Sequence, residues 1–265
     1  MRISAFLLSS LLFTNIAVAD LIVPQTAAPR VLVPVAGNAS GANGTYFRSD
    51  IQLLNLRDAE QRVRIFWLPQ GSMGSAIAAH TVDISPLSGI GSEDFVGSVL
   101  LESGIGGLEF VGVTQSGQFD PNARLHVTSR IWTPRPDGGS GTMSQTFPAL
   151  IMPGSTARVK TVFGIRSSSQ YRVNVGISNP SETVHQFRIT AINAPDIGFN
   201  PVFELTVRPR SIEQRVVNGL FGDGTLQVVF ENLTEGTATD WQAWASSIDN
   251  QSGDAWSQIA FPASQ

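Results

Sequence analysis

The only side chains in this 265-residue chain that exchange protons near neutral pH are His80, His126 and His185, and cysteine is absent. The histidines fall on three different expected strands, with no paired metal spacing and no G-x-S-x-G elbow, so no local motif points to hydrolysis. Their ordinary role is on a strand surface or in a local hydrogen-bond network. Glu93, Asp94 and Glu102 could pair as carboxylates for glycoside chemistry. They stand at the two ends of an expected helical turn, where the helix dipole accounts for the acids near its start. The stretch "DNQSGD" at 249–254 places Asp249 and Asp254 around a glycine turn. Hard oxygens there are the best candidate for calcium, although the spacing is not that of an EF-hand; both carboxylates could equally cap a hairpin.

Arginine and tryptophan supply the remaining candidates. Arg48 and Arg172 occupy equivalent places in two similar phrases, "FRSDIQLLNL" (47–56) and "YRVNVGISNP" (171–180), next to Asp50 and Asn174. A cross-strand ion pair explains such arginines, and an anionic ligand is the functional alternative. Arg64 and Arg188 are the only further cations expected on those faces. In "DWQAW" (240–244) the two-residue period puts Trp241 and Trp244 on opposite faces. Matching the repeats sets Trp244 over Val127, in the core, and Trp241 over Arg124, exposed. Trp132 and Trp241 are therefore the candidates for stacking on a sugar.

These residues need elements to hold them, and the elements come twice. At one offset Arg48, Asp50 and Asn55 fall on Arg172, Asn174 and Asn179, and "VRI" (63–65) falls on "FRI" (187–189). "SRI" (129–131) lies over "SSI" (246–248), and "FPA" closes both copies. A repeat longer than 100 residues is a duplicated domain, since solenoid units are shorter. Within each copy apolar residues alternate: Phe47, Ser49, Ile51 and Leu53 point inward, as do Tyr171, Val173, Val175 and Ile177. Arg172, Asn174, Gly176 and Ser178 point outward, and Asn55 and Asn179 end their strands in turn chemistry. Strands are expected at 31–35, 46–55, 62–68, 76–84, 107–114, 123–132 and 143–150. The second copy gives 159–165, 170–178, 184–192, 202–208, 225–231, 241–248 and 256–261. A short helical turn capped by Ser92 is expected over "EDFVGSVLL", with "IEQRVVNGLF" (212–221) as its counterpart. About seven strands per copy describe an all-β protein of two tandem immunoglobulin-like β-sandwich domains.

Bulk properties agree. The chain has 25 glycines, 15 prolines and only 14% charged residues, as turn-rich β proteins do. Residues 1–19, with one arginine, an apolar run and "AVA", form a secretory signal cut near Ala19. The run is too short to span a bilayer, so the mature protein is expected to be secreted or periplasmic, without a transmembrane segment. Domain one is then 20–152 and domain two 153–265, joined near "MPGSTAR" (152–158) by a segment too short to be a loose tether. The formal net charge is −4 with no basic cluster, a poor surface for nucleic acid or anionic lipid.

"YFRSDIQLLNL", "YRVNVGISNPSETVHQFRI" and "WASSIDNQSGDAWSQIAFPA" together resemble the tandem immunoglobulin-like modules of exported, uncharacterised bacterial proteins. Those modules carry a Phe-Arg-Thr-Asp strand running into an Asn-Pro turn, and a final Asp-Asn-x-Ser/Thr-Gly-Asp hairpin. Copy one departs from the pattern at Leu56 and at "TPRPDGGSGT". The resemblance implies the scaffold and no activity. The expectation is a non-enzymatic structural, adhesive or interaction module without a cofactor, calcium aside. Its partner would be a protein or polysaccharide at the cell exterior. The alternatives are a carbohydrate-binding protein, a pilus-chaperone-like protein, for which Lys160 is poorly placed, and a hydrolase.

Overall fold

The computed structural model describes residues 27–41, 44–135, 138–154, 156–193, 200–217, 221–235 and 240–263. The leader expected at 1–19 and its expected cleavage near Ala19 fall outside them. The protein is all-β. In the first half the strands are β1 (Arg30–Ser40), β2 (Tyr46–Asn55), β3 (Gln61–Pro69), β4 (His80–Ile84), β5 (Gly89–Ser92), β6 (Gly104–Val113), β7 (Leu125–Pro134), β8 (Thr142–Thr146) and β9 (Leu150–Ile151). The second half has β10 (Val159–Ser167), β11 (Tyr171–Asn179), β12 (His185–Asn193), β13 (Val202–Val207), β14 (Ser211–Val216), β15 (Gly224–Asn232), β16 (Gln242–Asp249), β17 (Ala255–Ile259) and β18 (Phe261–Pro262).

Among the described residues every pairing between these strands is antiparallel, and an isolated parallel bridge joins Gln70 to Ile212 of β14. The first half forms a nine-stranded sheet, β4-β3-β6-β1-β2-β7-β8, with β5 on β2 and β9 on β1. The second half forms two sheets, β13-β12-β15-β10-β18 and β14-β11-β16-β17. One core holds the second half together. Val162, Phe187, Ile189 and Val228 enter it from one sheet and Val173, Val175, Ile177 and Ala243 from the other. A separate core in the first half gathers Val31, Ile51, Leu53, Val63, Phe110 and Val127. The apolar alternation read from the sequence is thus what these faces bury, with Ile51, Leu53, Val173, Val175 and Ile177 fully inaccessible.

The expected elements differ from the observed ones in several places, β5 being unexpected and the strand expected at 256–261 being split into β17 and β18. "IEQRVV" forms β14 rather than a helical turn, because Asn174–Asn179 offers it a full antiparallel ladder and Ile212 a buried seat. Short apolar runs carry either period. The first-half counterpart does turn, as a π-helical segment Phe95–Val99. Its cap is Asp94, whose carboxylate accepts from the Gly97 N–H, and not Ser92. The strand expected at 76–84 begins only at His80. The strand expected at 143–150 breaks at Phe147–Ala149, around Pro148, which has no N–H to give a ladder. The strand pairing also departs from the immunoglobulin scheme, in which the first strand joins the second, the fourth the fifth and the seventh the sixth. Here β10 pairs with β15 and not with β11, while β1 pairs with both β2 and β6; β4 and β13 pair with the third strands β3 and β12, and β7 and β16 with the second strands β2 and β11.

The two halves are fused across a buried junction. Leu32, Leu68, Met152 and Ile212 form one apolar cluster, and Val35, Phe147 and Trp244 another. The Phe147 and Trp244 rings meet nearly edge to face with centroids 5.1 Å apart. The Ser178 hydroxyl donates to the Pro34 carbonyl at 3.0 Å. Gly176 lies under the Trp244 indole with no room for a Cβ. Ser178 and Gly176 belong to the face that strand alternation turns away from the core, so the face expected in solvent is covered by the other half. A charged network closes the junction. Glu109 is 2% exposed and sits between Arg30, which donates to it, and Arg210, whose Nη2 lies 3.5 Å away as an ion pair without hydrogen-bond geometry.

Candidate functional site

Asn55 and Asn179, each fully buried, do the same work in both halves. The Asn55 amide donates to the carbonyls of Ala59, Ile84 and Ser85, while its oxygen accepts from the Arg57 N–H at 3.0 Å. The Asn179 amide donates to Thr183, Val207 and Arg208, and its oxygen accepts from the Ser181 N–H at 3.1 Å. One side chain thereby ties a strand end to its turn and to the neighbouring loop. The repeated asparagine is architecture.

Ser181, His185 and Asn232 superficially resemble a nucleophile, a base and an orienting amide. The Ser181 Oγ lies 3.0 Å from His185 Nε2, and His185 Nδ1 lies 3.2 Å from Asn232 Nδ2. The proton directions oppose catalysis. Asn232 Oδ1 accepts from the Thr234 N–H, so its amide nitrogen donates and Nδ1 must accept. The neutral ring then carries its proton on Nε2, facing Ser181. The Ser181 hydroxyl in turn donates to Asn179 Oδ1 at 2.6 Å. His185 is inaccessible to solvent, and burial pushes its pKa down. The ring is a turn staple, and in the first half Gln61 fills the matching place and accepts from Arg57 at 2.7 Å. His80 and His126 lie on β4 and β7, so the three histidines do not converge.

Asp249 and Asp254 close the β16–β17 hairpin. One oxygen of Asp249 accepts from the N–H groups of Gln251 and Ser252, both at 2.7 Å, and these two hydrogen bonds hold its pKa below the usual carboxylate range. Asp254 accepts from the Ala255 N–H at 3.1 Å. No group of three or more His, Asp or Glu side chains able to hold a metal occurs among the described residues. The capping reading of the hairpin is the one its hydrogen bonds express.

The tryptophans require a correction. Trp241 is 1% exposed, at the heart of the second-half core, and not on the surface. Strand pairing sets Leu53 opposite Val127 and Ile177 opposite Ala243. Ala243 is therefore the partner of Val127, and Trp241 that of buried Leu125. The sequence match placed Trp244 there, one residue off, and a one-residue slip exchanges the faces of a strand. Trp244 belongs to the junction. Lys160, also inaccessible, stands over the Trp241 ring at 4.4 Å and donates to the Trp241 carbonyl and to Gln242. Burial pushes its pKa down to about 8, partly countered by Asp240. A lysine held there offers no charge to a partner in a cleft.

Arg48 and Trp132, two of the candidates, do come together. They face each other across β2 and β7, with the guanidinium 5.6 Å from the Trp132 ring and 5.2 Å from that of Tyr46. Asp94 lies 3.6 Å from Arg48, and the Trp132 indole donates to the Glu93 carbonyl at 2.8 Å. Arginine thus stands over one face of the Trp132 ring. Asp50 pairs across the strands with Arg130 at 3.4 Å, and Arg188 sits between Glu204 and Glu231.

Arg172 differs from its twin. It donates to Asn250 at 3.1 Å, and among the described residues no carboxylate lies within 4 Å of it. It is among the residues that line a cavity of about 180 Å³ between the halves. Phe47, Ile131 and Phe147 line one side, and Asn174, Trp244 and Ser246 the other. The sequence named Arg172 and its neighbour Asn174 but not the cavity, because its walls come from strands far apart in the chain.

No protein-family model matches the chain, and no curated protein matches it. Among solved structures, the crystal structure of Thermotoga maritima 1070 aligns with 42% of this chain and 96% of its own at 15% identity, with a TM-score of 0.34.

Proposed function

We propose that this chain is an exported, non-enzymatic interaction module, built from two β-sandwich domains, 20–152 and 153–265, that act as one rigid body towards a protein or polysaccharide at the cell exterior. The domains are a variant of the immunoglobulin-like sandwich. The second strand pairs with the fifth (β2 with β5, β11 with β14) and the third with the sixth (β3 with β6, β12 with β15), as in that scheme, while the first strand sits beside the sixth, the fourth beside the third and the seventh beside the second. The observation that carries the reading is where the reactive side chains go. Ser181, His185 and Asp249 all hold turns, and the cavity between the halves is lined by groups that bind, without an acid–base pair. Turnover on ester, peptide or glycan panels that Ser181→Ala or His126→Ala abolishes would overturn it. A fusion of residues 1–19 to a phosphatase active only after export tests the compartment.

An exposed aromatic group favours a polysaccharide partner as a second reading. Phe163, Trp256 and Phe261 are 61%, 46% and 68% exposed, and the Trp256 ring lies over Gly164. Glycan-array binding lost in Trp256→Ala supports that reading, and binding unchanged by this substitution removes it.

A further inference from the structure

The first-half sheet has a gap beside β7. On one flank β7 is paired with β2 from Leu125 to Trp132. On the other flank β8 pairs with it only from Arg130 to Pro134, because the chain leaves at Phe147–Ala149 for β9. Ala28 meets β7 again at Leu125, as an isolated antiparallel bridge with hydrogen bonds of 3.0 and 2.9 Å in the two directions. Between these contacts, among the described residues, 126–129 have a strand on one side alone. A cavity of about 300 Å³ lies there, walled by Val127 and Ser129 of β7, by Phe147 and Pro148, and by Val31 and Ile151. The bridge shows which way the backbone of β7 points. Successive residues of an antiparallel strand turn their N–H and C=O groups to opposite sides, and Leu125 turns both of its own to Ala28. Val127, two residues on, therefore turns its pair the same way, into the gap.

We infer that residues 24–26 of this same chain occupy the gap as a short strand antiparallel to β7. Ala27, the first described residue, adjoins the bridge, so the residues before it start from one end of the gap. Continuing the register of the bridge sets Thr26 opposite Val127, Gln25 opposite Thr128 and Pro24 opposite Ser129. Thr26 both gives and takes a backbone hydrogen bond with Val127, and it shares the face of Ala28 and Val127, which belong to the first-half core. Gln25 shares the face of exposed Thr128. Pro24 has no N–H to give, and it arrives where β8 takes up the pairing at Arg130, so the ladder stops there. Reach is sufficient. At about 3.3 Å per residue the gap is about 13 Å long, and the segment from Asp20 to Thr26 spans about 23 Å. A strand seated here denies a free edge of β7 to any foreign chain. The inference concerns how the module completes its own sheet, and its failure leaves the reading of the chain as an interaction module standing.

The absence of cysteine makes a direct test possible, since an introduced pair has no other thiol in the chain to meet. The mature chain, beginning at Asp20, is made with Gln25→Cys and Thr128→Cys and oxidised mildly. In the register above these positions form a non-hydrogen-bonded pair, whose Cα atoms stand about 4.5 Å apart, a separation that a disulfide spans. Closure within one chain is expected in most molecules, read as faster migration on a non-reducing gel and as the linked peptide in a digest. Gln25→Cys with Thr81→Cys, on exposed β4 at the opposite edge, is expected to stay reduced. Adding Thr26→Pro to the first pair removes the donor to Val127 and is expected to slow closure about fivefold. Melting curves confirm that each variant is folded. The inference is overturned if the Gln25–Thr128 pair does not close in the folded protein, or if it closes no faster than the Gln25–Thr81 pair. Closure at an unchanged rate in Thr26→Pro also overturns it. So does a disulfide between two chains, which would put the segment of a second copy in the gap.

Discussion

Arg210→Met tests how the halves are held together. Arg210 comes from the second half, and its side chain is 10% exposed. Its Nη2 lies 3.5 Å from Glu109, its Nε donates to the Ser75 carbonyl at 2.8 Å, and its guanidinium lies 4.5 Å from the Phe66 ring centre. Removing one member of a buried pair costs about 3–5 kcal/mol, because the other charge stays buried. Here Arg30 remains on Glu109 and lowers that figure. The bond to Ser75 adds about 1 kcal/mol, and the pair with Glu182, a side chain 67% exposed, adds little. Methionine retains much of the contact with Phe66. The expected loss is about 3 kcal/mol, or a fall in melting temperature of about 6–12 °C for a chain of this size. Adding Glu109→Gln removes the stranded charge, so the double variant should recover about 2 kcal/mol. Urea unfolding gives both numbers, and calorimetry shows whether the weakened junction lets the halves melt separately. Equal stability of the single and double variants would refute the reasoning, since a buried charge would then not be the source of the loss.

Asn55→Ala and Asn179→Ala should each cost about 2–3 kcal/mol, because each leaves three carbonyls without their donor. The losses should add in the double variant, as measured by urea unfolding, since the two sites share no partner. Lys160 gives a pH dependence of unusual sign. Its folded pKa of about 8 lies below the unfolded 10.5, so between those values the unfolded chain binds more protons and stability rises with pH. The gain is about 3 kcal/mol from pH 7 to 11, and it should be absent in Lys160→Met; a slope that persists in the variant would assign it elsewhere. Gly176→Ala drives a methyl into the Trp244 ring and should cost about 1–3 kcal/mol, with tryptophan emission shifting to the red as the indole leaves the junction. Unchanged emission would mean that the strand yields instead.

Much of this protein is legible in its sequence. Alternation at Ile51, Leu53, Val173, Val175 and Ile177 fixes which strand faces are apolar, since a residue's side on a strand depends only on its parity. The recurrence of Asn55 at Asn179 marks a turn that both halves need, and turn chemistry acts over a few residues. Strands β2, β3, β7, β11, β12, β15 and β16 lie close to where these local signals put them.

Tertiary structure decides what each face meets. Parity gives β11 an outer face of Arg172, Asn174, Gly176 and Ser178, but not whether that face meets water or another sheet. The fold covers most of it with the first half, so Ser178 binds Pro34 and Trp244 seals the junction. Pairing register decides Trp241, because ladder hydrogen bonds between distant strands, not local propensity, place it in the core. The cavity below Arg172 is likewise a product of two surfaces meeting. Its walls come from strands of both halves, and no stretch of chain carries them alone.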